Sequence, residues 1–256
     1  MIAIGDEWTS RLFDGPFYVS PAPPHTAACG LVFVQSADGN TGARNPQSLG
    51  GGETDKHLIY EGLSRVAADA VLAGGVTIRG GRIAFSVWRP ELVRLREALG
   101  KPRHPVQIVA TLGGVGLERE MLYNVPELRV ILLTIAACHD AMRDALADRP
   151  WITPIVMDRA EELPAAFEQL RSMGIERISA VGGRTLATQL IDLGLVQDVY
   201  LTTSPHPGGE PGTPMYPRPL DAQVVVAKRG TSQEAGVIFE HLLLRNHGDR
   251  ATAPRP

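Results

Sequence analysis

Cysteine is nearly absent from this chain of 256 residues, where only Cys29 and Cys138 occur, with no CxxC and no histidine at ligand spacing. The seven histidines (25, 57, 104, 139, 206, 241 and 247) form no HxH or HxxxH pair. A structural zinc site is therefore not expected, and two isolated thiols suit the core of a protein in a reducing cytoplasm. An excess of positive charge is also missing. The formal net charge is -3, so no global field gathers nucleic acid or an anionic membrane, and neither is expected as a partner. The strongest apolar run, Val130 to Cys138, falls far short of the roughly 18 residues a spanning helix needs. Asp6 and Glu7 stand where a secretion signal would carry basic residues, so a cytoplasmic location is expected. Three nucleotide and hydrolase fingerprints are missing as well. There is no GxGxxG, no GxxxxGK[ST] and no GxSxG, which removes the commonest dinucleotide turn, the P-loop and the nucleophile elbow.

What remains is globular composition, 44% hydrophobic and 21% charged, in a length that suits one large domain. Residues 1–28 read as an irregular arm closed by Pro21, Pro23 and Pro24, residues 29–245 as the domain, and 246–256 as a flexible tail. Strands are expected at Gly30–Gln35, Asp69–Ala73, Val106–Thr111, Leu128–Thr134, Ile152–Met157, Arg177–Val181 and Gln197–Ser204. Helices between them are expected at Thr54–Ala67 (capped by Thr54), Pro90–Leu99, Cys138–Ala147, Glu161–Met173 and Arg184–Leu193. The segment Ser204–Pro219 holds six prolines and three glycines and reads as a surface loop. A hairpin of Gln223–Lys228 and Val237–Leu244 closes the chain. Strands alternating with helices imply a three-layer α/β/α fold, its mixed sheet mostly parallel with an antiparallel C-terminal hairpin. Ligands of such sheets bind beyond the carboxyl ends of the strands.

Two turns fit that position. Arg177–Val181 runs into Gly182-Gly183 and directly into a helix starting Arg184-Thr185-Leu186. Glycine lets a ligand approach the main chain, and the unpaired amides at a helix start suit a diphosphate. A merely permissive tight turn explains the same residues about as well. Gly74-Gly75-Val76-Thr77 repeats the pattern, with Thr77 either capping the next segment or bonding a phosphate. From Arg79 to Arg103 the chain holds seven basic residues against Glu91 and Glu97, which suggests a polyanionic small ligand. A solvated helix face explains Arg94 and Arg96 better than it explains Arg79 and Arg82. Asp38, in Ser36-Ala-Asp-Gly39, is first a turn former. Glu53 and Asp55 are first helix-start carboxylates. Any of the three becomes a proton donor only if burial raises its pKa.

The order of these motifs, Ser36-Ala-Asp-Gly39, Asp55, Asp69-Ala-Val-Leu-Ala-Gly-Gly-Val-Thr77 and Gly182-Gly183-Arg-Thr185-Leu186, resembles the RibD C-terminal reductase family. These are the pyrimidine reductases of riboflavin biosynthesis, similar in fold to dihydrofolate reductase. The resemblance spans about residues 30 to 244 and implies a dihydrofolate-reductase-like sheet, a homodimer, and NADPH as hydride donor to a phosphoribosylamino-uracil or similar heterocycle. It implies that Gly75, Thr77 and Arg79 contact the adenosine side and its extra phosphate, and that Gly182, Gly183, Arg184, Thr185 and Leu186 hold the diphosphate. Asp38, Glu53 and Asp55 are then the catalytic candidates, and Ser36, Arg82 and Arg89 the substrate-binding ones. The zinc deaminase domain often fused in front of this family is not expected, because residues 1–28 lack a His/Cys ligand set. Two positions depart from the family: Val181 stands where a substrate-binding Glu is usual, and Arg79-Gly-Gly-Arg82 replaces an acidic run with Pro. A dihydrofolate-type reductase acting on a pteridine, or a relative that binds a nucleotide or flavin without turnover, remains open.

Overall fold

The computed structural model describes residues 1–12, 17–43, 45–57, 59–79, 84–229 and 236–245. Expectations for Arg82, Gly80, Gly81 and the tail fall outside these residues. Nine strands form one sheet and two more a small separate one. In chain order the strands are β1 (Ile2–Ile4), β2 (Phe17–Val19), β3 (Ala28–Gln35), β4 (Ala70–Gly74), β5 (Val106–Thr111), β6 (Val130–Ile135), β7 (Ile152–Met157), β8 (Arg177–Val181), β9 (Val196–Thr203), β10 (Ala222–Arg229) and β11 (Ile238–Leu244). The large sheet runs β10-β11-β9-β3-β8-β4-β5-β6-β7. Strands β9 through β7 in that order are mutually parallel, and β11 is antiparallel to both of its neighbours.

The central strands are apolar on both faces because both are covered. Val71, Ala73, Val109, Val130 and Leu132 join one core with Leu63, Val66, Leu92 and Tyr123. Ala70, Leu72, Ile108, Ile131 and Leu133 join the other, against Phe167, Leu170 and Leu190. The first face carries α2 (Gly52–His57), a π-helical turn (Ile59–Leu63), α3 (Ser64–Ala67) and α5 (Pro90–Ala98); α4 (Gly75–Ile78) is one short turn after β4. Residues Ala136–Ala147 form two short helices, α6 (Ala136–Ala141) and α7 (Arg143–Ala147), in place of the single one expected. The second face carries α8 (Leu163–Ser172) and α9 (Arg184–Asp192).

Three expectations need correction. Residues 1–28 are not irregular: Ile2–Ile4 and Phe17–Val19 pair antiparallel, with helix α1 (Glu7–Leu12) between them. Ile4, Phe17 and Val19 lie in the first core. The segment is docked by buried Asp198 of β9, which accepts from Ser20 N–H (3.1 Å) and Ser20 Oγ–H (2.7 Å) and meets His241 Nε2 at 2.7 Å. Three-residue strands are too short to show a period, so only their long-range contacts reveal them. Second, the helix expected from Thr54 starts at Gly52, and Thr54 is buried within its first turn. Third, Arg96 does not belong to a solvated face. Its side chain is 1% exposed, and it donates to Arg65 O, Val66 O, Ala68 O and Pro102 O at 2.7, 3.2, 2.6 and 2.6 Å.

Candidate active site

The parallel strands end at one sheet edge, and the turns that leave them meet there. Gly182 and Gly183 after β8 have φ of 71° and 86°, left-handed backbone that glycine adopts without the Cβ penalty. A Cβ on Gly182 would stand 3.2 Å from Thr77 Cγ2, and one on Gly183 3.4 Å from Thr77 Oγ1 and 4.0 Å from Gly74 N. The two glycine turns therefore lie against each other through Thr77. The β4 turn is seated in the same way on the β5 loop, since a Cβ on Gly75 would be 3.2 Å from both Thr111 and Val115. Gly183 is the N-cap of the nine-residue helix α9 and offers no side-chain cap. The helix-start amides of Arg184, Thr185 and Leu186 thus sit beside the glycine turn and Thr77, an arrangement that fits a dinucleotide diphosphate. Arg184 and Thr185 are exposed there, and exposed Arg79 follows the Thr77 turn. The Leu186 side chain is instead part of the second core, so only its main chain can face a ligand. Thr77 is the third residue of α4, not its cap. Gly183→Ala is expected to cost about 1–2 kcal/mol of stability through its positive φ, read as a lower urea midpoint at unchanged slope.

A buried carboxylate lies against β9. Asp55, on α2, is 6% exposed and accepts a short hydrogen bond from Thr202 Oγ–H of β9; Thr202 is wholly buried. A Cβ on Gly51 would stand 2.8 Å from Val34 Cγ2 and 3.2 Å from Asp55 Oδ2, so the main chain at Gly51 passes directly over the carboxylate. Strand register sets its height. Val34 pairs with Thr202 and Val32 with Val181, the last residue of β8, so Thr202 stands at the carboxyl edge of the sheet, just beyond the level at which β8 ends.

The other sequence-derived candidates are placed differently. Ser36 is fully buried, with its Oγ 2.5 Å from Asp38 Oδ1 and 2.9 Å from Gly208 O. The hydroxyl is turned inward and ties the β3 turn to the loop after β9. Asp38 also accepts from Gly208 N–H at 3.2 Å. The Ser36 hydrogen bond first, and that amide second, hold its carboxyl below the usual aspartate range, in keeping with its place in the turn. Glu53 points outward and is exposed. Arg89 precedes α5, in a segment apart from the glycine turns. Its segment is pinned by Gln107, the second residue of β5, to Phe85 N–H at 2.8 Å and by Arg103 to Val87 O, at the amino-terminal edge. Thr202 had no signal in the sequence, because a threonine at a strand end reads only as a strand former.

Among the described residues no group of three His, Cys, Asp or Glu side chains could hold a metal ion, and no helix is long and apolar enough to cross a membrane. The RibD C-terminal domain family matches residues 30–236. No curated protein matches the chain. Among solved structures, it is similar to a pyrimidine reductase-like protein from Corynebacterium diphtheriae, at 20% identity and a TM-score of 0.71 over 86% of this chain and 92% of that one. It is also similar to RibD of Acinetobacter baumannii (17% identity, TM-score 0.67), covering 87% of this chain but only 59% of that longer one. The riboflavin biosynthesis reductase of Saccharomyces cerevisiae shares 13% identity at a TM-score of 0.63, over 88% and 93% of the two chains. At such identities these likenesses establish the shared fold.

Proposed function

We propose that this chain, which belongs to the RibD C-terminal domain family, is an NADPH-dependent reductase of the riboflavin-biosynthesis pyrimidine reductase type. Its substrate is a phosphoribosylamino-pyrimidine or a similar heterocycle. The observation that carries the reading is the meeting of the two glycine turns at Thr77, at the same carboxyl edge of the sheet as the buried Asp55. Bound there, the dinucleotide supplies a hydride to an electrophilic carbon of the substrate. The chain's own residues do the rest. The main chain of Gly182 to Leu186 fixes the diphosphate, Thr77 orients the adenosine side, and Arg79 takes the extra phosphate that separates NADPH from NADH. Asp55 gives a proton to the nitrogen or oxygen that gains the electron pair as hydride arrives, so charge is neutralised in the same step. The protein acts in the cytoplasm as a homodimer.

The test is thermal unfolding with each dinucleotide. A ligand at about 100 times its Kd stabilises a fold by roughly 2.7 kcal/mol, and at this size each kcal/mol moves Tm by about 2–4 °C. NADPH is expected to shift Tm well above the shift given by NADH, and Arg79→Gln to erase most of that difference. No shift with either sinks the cofactor assignment.

One observation favours a second reading, a relative that binds the dinucleotide without turnover. Val181, where the family usually carries Glu, is 7% exposed and packed into the first core, so no carboxylate reaches a substrate from there. A protein that shifts with NADPH but oxidises it with no phosphoribosylamino-pyrimidine or pteridine substrate would establish that reading instead.

A further inference from the structure

Thr202 lies on β9 between Val34 of β3 and Phe239 of β11, its register partners on either side. It is 0% exposed, on the face where Tyr200 and Val32 meet the helices. Its hydroxyl hydrogen is directed to Asp55 Oδ1. On its other side the carboxylate is covered by the Gly51 main chain. A β-branched side chain inside a strand has a stiff χ1, so this donor is fixed in direction before any ligand arrives. A donor held this way favours the ionised form of the carboxylate and weakens its hold on a proton.

We propose that Thr202 is a positioning residue for the proton donor: its hydroxyl holds the Asp55 carboxylate in one orientation and lowers the pH at which it gives up its proton. The inference rests on the reading of Asp55 as donor. Other charged groups surround the pair. Glu53 and Lys56 share α2 with Asp55, while Glu61 and Arg65 follow it, and Arg65 is electrostatically coupled to Glu61 and Asp55. His206 lies beyond β9, near Gly50. Further along the same face of β9 and β11, Asp198 and His241 are paired with each other. None of these is altered by a change at Thr202, so a shift that follows the Thr202 hydroxyl is separable from them.

Thr202→Val removes the hydroxyl at nearly constant shape, and Thr202→Ser keeps it. The Asp55 carboxyl is titrated by carbon-13 NMR, its signal assigned by loss in Asp55→Asn. A hydrogen bond to a charged group is strong enough to make the proton affinity of Asp55 about tenfold higher in Thr202→Val, with Thr202→Ser near wild type. The high-pH limb of kcat/KM should move up by the same factor, while NADPH affinity stays unchanged. If Thr202→Val does not fold, Thr202→Cys, a near-isostere with a weaker donor, is expected to shift in the same direction by less. Thr202 variants that titrate like wild type, with a superimposable pH profile, overturn the inference. Turnover that survives Asp55→Asn overturns the donor assignment instead, so the two failures are told apart. In a protein without turnover, the carboxyl titration alone decides whether Thr202 controls Asp55.

Discussion

Replacing Asp55 by Asn is expected to lower kcat by about 10²- to 10⁴-fold, the range removed with a general acid, while the NADPH-induced shift in Tm stays close to wild type. Asn has the same shape and still accepts the Thr202 hydrogen bond through its carbonyl oxygen, so the site should keep its geometry and lose only the transferable proton. Two other carboxylates had equal standing in the sequence, and they provide the controls. Asp38 is exposed, and its pKa is held down by Ser36 and the Gly208 amide. Glu53 faces solvent on the outer side of α2. Asp38→Asn and Glu53→Gln should therefore leave kcat near wild type, with any effect of Asp38→Asn appearing in stability, through the loop it ties. If either control abolishes turnover while Asp55→Asn does not, the proton enters from a different carboxylate and the site is built around the wrong strand.

These contrasts show which information was local. Strands Ile152–Met157 and Arg177–Val181 have the bounds expected from sequence, because a short apolar run between turns encodes a strand without help from distant residues. The glycine turns were legible for the same reason. Residues whose roles depend on distant partners were not. Asp55 and Thr202 are 147 positions apart, and nothing in either neighbourhood links them before the sheet forms. The sequence does not show that Ser36 turns inward onto Gly208, 172 positions away. Nor does it show that the basic run splits, with Arg79 at the cradle and Arg89 in a segment held to the opposite edge. Counting charges along the chain treats these arginines as one patch, whereas the β4-to-β5 crossover carries the chain from one end of the sheet to the other and separates them.

Arg96 gives the clearest case of this separation and the second large effect. Arg94 and Arg96 are two residues apart on α5, so they point to different sides of the helix. Arg94 has a side chain 68% exposed, in a loose pair with Glu91 at 3.7 Å, whereas Arg96 is sealed beneath the helix. Its guanidinium reaches the carbonyls of Arg65, Val66 and Ala68 at the end of α3, and that of Pro102 just before β5. The first three carry the negative end of α3, so the cation meets them together. Burial pushes its pKa down to about 10, opposed by Asp69 and aided by Arg103, which leaves it charged at neutral pH. Arg96→Met keeps the apolar stem but strands several buried acceptors, each worth about 1–3 kcal/mol when left unpaired. A loss of about 3–5 kcal/mol is expected, read as a fall in the urea midpoint. Arg96→Lys should recover only part of it, because one ammonium cannot span acceptors that a planar fork reaches. Arg94→Met, removing an exposed charge from the same helix, should stay within about 0.5 kcal/mol. Equal losses at 94 and 96 would mean that helix propensity or net charge sets the stability of this corner, and that the carbonyl network does not.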